Sequence, residues 1–240
     1  MFTQTKNKGI QVREGRTYLD VPHLDSELTF VYPAKKGTYI ELAEQLDEDN
    51  LQQLTMSQNA SLIYAAWQNP KEKYSKEIID ILRNSWLVCF NGILYDKEDK
   101  GAYIEDRPKI RGNRVYMEKS DLLKRLEAND PSVRFVPFGY KIEKQSSKDL
   151  EKNPFVIALA GEEGAQKLAE VSANYKFKPY LYSFDNVDRS AIRVASLDSC
   201  RCLGNGMLYV GGFDWGDNDD GYAFGVFRET GGARPKNNKT

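Results

Sequence analysis

The first 38 residues mix short apolar runs with polar turns and read as strands; residues 29–32 are strand-like and stop at Pro33. The period then lengthens. Thr38 stands where a helix cap would, ahead of a helix expected from residue 40 to residue 54 with Glu41 in its first turn. A second helix fits residues 57–68, ended by Pro70, and a third fits residues 71–86. In the third, Tyr74, Ile78, Ile79 and Leu82 form one apolar stripe. From Leu87 the pattern becomes β-prone. A turn at residues 96–101 predicts a hairpin, and a second turn at residues 111–114 predicts another. Ser120 is placed to cap a short helix over residues 121–128, and residues 133–138 read as a strand. The apolar run 154–160 reads as a buried strand, with Gly161 and Gly164 flanking the start of a helix that ends near Tyr175. Three further strands are expected over residues 192–197, 207–210 and 222–227, joined by loops rich in Gly, Asp and Ser. This order predicts an α+β chain, with its helices in the N-terminal half and a loop-rich C-terminal β region. Residues 1–228 are expected to form one domain, and residues 229–240 a polar, disordered tail.

Composition changes the picture at one place. The window 179–228 contains no Lys, Glu or Gln, whereas the rest of the chain holds 47 of them. At that density fifty residues would carry roughly a dozen. The window is not apolar, since it holds seven Asp and four Arg along with Ser, Asn, Gly and Tyr. It keeps short or rigid polar and aromatic groups, which lose little entropy when immobilised, and drops the long flexible ones. The C-terminal fifth therefore reads as a binding region and the rest as scaffold.

Overall charge adds only exclusions. The formal net charge is −1, and residues 1–178 balance at 27 basic and 27 acidic side chains. No basic stripe suggests nucleic acid. No apolar run is long enough for a membrane span. Residues 1–13 are polar and lack the apolar core of a signal peptide, and three cysteines make no disulfide framework. The expectation is a cytoplasmic, reducing setting.

Candidate chemistry is sparse. His23 is the single histidine, which argues against a Ser-His-Asp or Cys-His hydrolase and favours a packing role. Gly161-Glu162-Glu163-Gly164 lacks the lysine and the spacing of a phosphate loop, and its glutamates would repel phosphate. The aspartates of residues 214–221 could hold Ca²⁺, but their register is not that of an EF-hand, so a solvated loop is the simpler expectation. Cys200 and Cys202 have no neighbouring Lys or His to activate a thiol. No cofactor is expected. The aromatics Tyr209, Phe213 and Tyr222 lie beside loops, and sequence alone leaves both a core and a platform reading open for them.

Arg193-Val194-Ala195-Ser196-Leu197, a Gly-rich stretch, and then Gly221-Tyr222-Ala223-Phe224-Gly225-Val226 form a pattern similar to C-type-lectin-fold proteins related to formylglycine-generating enzymes. Within that group the chain resembles the variable proteins of diversity-generating retroelements, archaeal type. The resemblance implies a C-type-lectin-like fold whose variable region, about residues 190–228, binds partners that differ between siblings. Adenine-directed mutation of AAY codons reaches only NNY codons, which excludes Lys, Glu, Gln, Met and Trp. The resemblance therefore implies the composition of the window. It also implies that Met207 and Trp215 are invariant scaffold. The implied ligand-binding positions are Ser199, Arg201, Asn205, Tyr209, Phe213, Asp214, Asp217, Asn218, Asp219 and Tyr222, with an unidentified protein or other macromolecule as partner. The alternative is a formylglycine-generating-type oxidase or a calcium-dependent lectin relative. The chain lacks lectin Glu-Pro-Asn and Trp-Asn-Asp sugar motifs, and its paired cysteines do not match the oxidase site.

Overall fold

A computed structural model describes residues 11–13, 17–199, 206–214 and 220–227 of the 240. It is α+β. Strands β1 (Gln11–Arg13), β2 (Tyr18–His23) and β3 (Ser26–Gly37) open the chain as an antiparallel meander. Pro33 does not stop β3. It lies opposite the register shift between Ala223 and Gly225 of the last strand, where the ladder slips and a missing N–H costs nothing.

Helix α1 (Tyr39–Glu48) starts at Thr38 through a capping box. The Glu41 N–H donates to Thr38 Oγ1 at 3.4 Å, and the Thr38 N–H donates to Glu41 Oε2 at 2.9 Å. It is shorter than its sequence pattern suggested, because β4 (Leu51–Gln53) leaves to pair with the last strand. Helix α2 (Met56–Gln68) is capped the same way by Thr55 and Gln58, and α3 (Lys73–Asn84) buries Ile78, Ile79 and Leu82. Trp86, expected at the end of that helix, instead begins β5 (Trp86–Asp96). This strand pairs with β6 (Gly101–Asp106) as the expected hairpin. The second hairpin is β7 (Lys109–Arg111) with β8 (Arg114–Tyr116). Helix α4 (Lys119–Glu127) has Glu118, not Ser120, at its N-cap, and β9 (Val133–Pro137) adds to β6.

Three elements without a clear sequence signal follow: β10 (Glu143–Lys144), α5 (Ser147–Glu151) and, after the next helix, β11 (Tyr180–Tyr182). The apolar run expected as a buried strand is helical. It forms the first half of α6 (Pro154–Ser172). A seven-residue apolar run cannot separate buried strand from buried helix by period alone. The deciding signals stand just before it: Asn153 Oδ1 accepts from the Phe155 N–H at 3.0 Å, and Pro154 occupies the first helical turn. Gly161 does punctuate, since its φ of 73° breaks the helix before Glu162 and Glu163.

The C-terminal strands are β12 (Ala191–Asp198), β13 (Tyr209–Asp214) and β14 (Gly221–Phe227). Among the described residues twelve strands form one mixed sheet, whose central order is β3-β14-β5-β12-β13-β11. Helices α2, α3 and α6 cover one face over Leu87, Cys89, Ala195, Leu197, Val210 and Phe224. On the other face α1 and the β7–β8 hairpin cover Val88, Phe90, Val194 and Ala223. No helix among the described residues is long and apolar enough to cross a membrane.

Candidate ligand-binding face

Directly paired residues of neighbouring strands share a face of the sheet. Tyr180 pairs with Tyr209, Tyr209 with Asp198, and Asp198 with Trp86, so these four side chains make a row across β11, β13, β12 and β5. The next row holds Tyr182, Gly211, Ser196 and Val88. Leu181, Val210, Leu197 and Leu87, one residue out of phase, point into the helix-covered core. The aromatic rows therefore stand on the face away from α2, α3 and α6.

The tyrosines form one cluster. Ring centroids are 4.5 Å apart for Tyr180 and Tyr182, 5.7 Å for Tyr180 and Tyr209, and 5.6 Å for Tyr182 and Tyr209, the last pair stacked. Tyr180 and Tyr182 are half-buried, while Tyr209, Ser196 and Asp198 are buried. Burial, with Glu143 nearby, holds the Tyr180 hydroxyl above its ordinary pKa, so it remains a neutral donor at physiological pH. The indole of Trp86 lies over Gly221, where a Cβ would come within 2.4 Å of the ring. That glycine is what lets β14 start beside the row. At the same end of the sheet Lys36 and Asp220 pair at 3.5 Å across exposed surface.

This end of the sheet adjoins residues 200–205 at both ends and residues 215–219 at their C-terminal end, since Asp214, which precedes the second segment, pairs with Val194 farther along β12. Residues 200–205 are bounded by Ser199, which follows Asp198, and by Gly206, which precedes the start of β13. Residues 215–219 are followed by Asp220 and Gly221, and Tyr222 pairs with Leu87 next to Trp86.

The sequence-derived site residues fall into groups. Arg201, Asn205, Asp217, Asn218 and Asp219 lie outside the described residues, as do Trp215, Cys200 and Cys202. Phe213 and Asp214 belong to β13. Tyr222 is half-buried in β14 and Met207 is buried. Ser199 and Tyr209 are buried rather than displayed. Ser199 is fixed by its N–H donating to Leu82 O at 2.7 Å, and its side chain is buried. Tyr209 is enclosed as the middle member of the row. Sequence reasoning missed Tyr180, Tyr182, Trp86, Ser196 and Asp198. The alternation Tyr-Leu-Tyr at residues 180–182 was the available signal, a three-residue strand with aromatics on one face.

A second polar cluster joins β2, α2 and α6 on the helix side. His23 Nδ1 lies 2.9 Å from Ser61 Oγ, and Lys167 Nζ donates to the same oxygen at 2.9 Å while pairing with Glu163. The Ser61 hydroxyl also donates to Ser57 O at 3.4 Å, so Ser61 ties the histidine and the lysine to α2. Burial first, then Lys167, lowers the His23 pKa, against an opposing pull from Glu163. The cluster closes a junction between three elements, which is the packing role expected of a lone histidine. Among the described residues no group of three or more His, Cys, Asp or Glu is arranged to hold a metal ion.

Compared with protein-family profiles, curated proteins and solved structures, the chain matches none of them.

Proposed function

We propose that this chain is a ligand-binding display protein. On this reading it is a C-type-lectin-like variable protein of a diversity-generating retroelement, and the region of about residues 190–228 binds variable partners. The observation that carries the proposal is that three of the four ends of residues 200–205 and 215–219 adjoin one row of side chains. Both ends of 200–205 and the C-terminal end of 215–219 adjoin the Tyr180–Tyr209–Asp198–Trp86 row, while 215–219 follow Asp214, which pairs with Val194 farther along β12. Loops held by a rigid sheet can change sequence without moving the scaffold, and adjacent aromatics supply contact area at low entropic cost. Buried Ser199 and Tyr209 belong to the support under this face and half-buried Tyr222 lies at its margin, while Arg201, Asn205, Phe213, Asp214, Asp217, Asn218 and Asp219 remain the proposed variable positions. The composition of the window supports the same reading through the NNY codon restriction. The residues an oxidase or calcium-lectin reading would use, Cys200, Cys202 and the aspartates of 214–221, lie largely outside the described residues, and no observation favours that reading.

The test is genomic. The locus should carry a reverse transcriptase gene and a near-copy of the coding region for residues 190–228, with mismatches confined to adenines of the copy. A locus with neither overturns the proposal.

A further inference from the structure

The outer face of the sheet carries a second feature at the opposite end of β12. A cavity of about 560 Å³ lies between the β7–β8 hairpin and residues 189–194. Its size is that of a small-molecule site. Ile192 pairs with Leu94 and shares its face, and with Val194, Ile40 and Val115 these side chains give the cavity an apolar floor. About 13 Å of strand separates Val194 from Asp198, so this is not the tyrosine row.

The charged residues among the described lining are all arginines, Arg114, Arg189 and the buried Arg193, beside neutral Asn113 and Ser190. Arg114 and Asn113 come from the hairpin, and Arg189 from the segment leading into β12. Arg114 and Arg189 are exposed, and neither makes an ion pair or a side-chain hydrogen bond with a described residue. Ser190 Oγ is occupied, donating to Asp96 Oδ2 at 3.1 Å, and Asp96 is itself held by Lys119 at 2.9 Å. No Asp or Glu is among the described residues that line the cavity. Two guanidiniums over an apolar floor complement a molecule with an anionic head and a hydrocarbon body. The guanidinium fork matches a carboxylate by paired hydrogen bonds.

We propose that this cavity is a binding site for a small amphipathic carboxylate, with Arg114 and Arg189 taking the head group and Leu94, Val115, Ile192 and Val194 the apolar tail. The cavity lies away from the tyrosine row, and its test does not depend on the outcome at the locus.

Calorimetric titration of the full chain with sodium decanoate, decyltrimethylammonium bromide and decanol separates head-group recognition from apolar adsorption. The expected result is one-to-one binding of decanoate, at least about tenfold tighter than either of the others. Arg114→Gln with Arg189→Gln should remove that preference without changing the melting temperature, since both side chains are exposed. Ile192→Trp, which fills the cavity floor, should weaken decanoate and decanol alike. Equal binding of the anionic and cationic chains overturns the proposal. So does a double arginine variant that keeps decanoate affinity within twofold, or decanoate that does not bind at all.

Discussion

Gly212 offers the sharpest test of β13 as fixed scaffold inside a variable window. A Cβ there would meet Phe155 Cζ at 2.7 Å, Phe155 Cε1 at 2.8 Å and the Tyr95 hydroxyl at 3.1 Å. Phe155 cannot move aside cheaply. It is fully buried, stacks on Tyr140 at 4.8 Å and lies 6.1 Å from the Tyr95 ring. Tyr95 is also pinned, because its hydroxyl donates to Gly212 O and meets Ser183 Oγ at 2.8 Å. Gly212→Ala therefore overpacks a rigid aromatic stack. Such changes cost roughly 1–3 kcal/mol, and the upper half of that range applies where the neighbour cannot yield. For a chain of this length that lowers the melting temperature by roughly 4–10 °C. Urea denaturation of Gly212→Ala, Phe155→Leu and the double variant forms a cycle. Phe155→Leu alone leaves a cavity, at less than the roughly 3–5 kcal/mol of truncation to Ala. It also removes both ring atoms that the new methyl would strike. The double variant should thus be more stable than the sum of the single losses by about 1 kcal/mol. A neutral Gly212→Ala, or a strictly additive cycle, would refute the geometry.

The remaining predictions follow from the same division between support and display. Leu197→Ala, Val210→Ala and Phe224→Ala, all fully or almost fully buried, should each cost roughly 2–5 kcal/mol in urea melts, whereas Arg201→Ser or Asn218→Ala should stay within about 0.5 kcal/mol. Equal losses in the two groups would remove the basis for a diversified surface. Gly221→Ala should destabilise and should change Trp86 fluorescence, because the new methyl enters the indole. The lowered His23 pKa means that the folded state binds fewer protons than the unfolded chain, whose histidine titrates near about 6.5. Its contribution to stability is therefore complete above that value and is lost as pH falls toward the folded pKa. His23→Asn, whose side-chain amide can keep a hydrogen bond to Ser61 without titrating, should flatten the difference between melts at pH 7.5 and pH 5.5. An unchanged slope would mean that His23 is not the titrating group.

Much of the scaffold was legible before the structure. Thr38 with Glu41 named a helix start because a capping box is a local device, complete within four residues. The two hairpins were equally local. What failed depended on partners distant in sequence. Leu51 looked helical until β14 took residues 51–53 as a strand, and Pro33 looked like a stop until the slip in the β14 ladder gave it a place. The candidate face was legible only in part for the same reason. Tyr209 was visible as an aromatic beside a loop, but Tyr180 and Trp86, which complete its row, are brought there by strand pairing across four strands.

Burial also changes the weight of the composition signal. Among the residues of 179–228 whose burial is described, twenty are buried, including Leu197, Met207, Val210 and Phe224. Lys, Glu and Gln would be rare at such positions in any protein, so those sites say nothing about codon usage. Only exposed sites separate codon usage from burial. Residues 183–190 are exposed or half-buried throughout and carry Asp185, Asn186, Asp188 and Arg189, yet none of the three absent types. Solvent places no bar on Lys or Glu there. The deficit persists where burial cannot cause it, and it begins upstream of residues 200–205 and 215–219. The composition signal therefore reaches the rim of the Arg114–Arg189 cavity as well as the tyrosine row, two different places on the outer face. If adenine-directed mutation is the cause, the template copy should extend upstream through the codons for 185–190. A copy that starts only at residue 199 would leave this exposed stretch unexplained and would separate the composition of the window from its diversification.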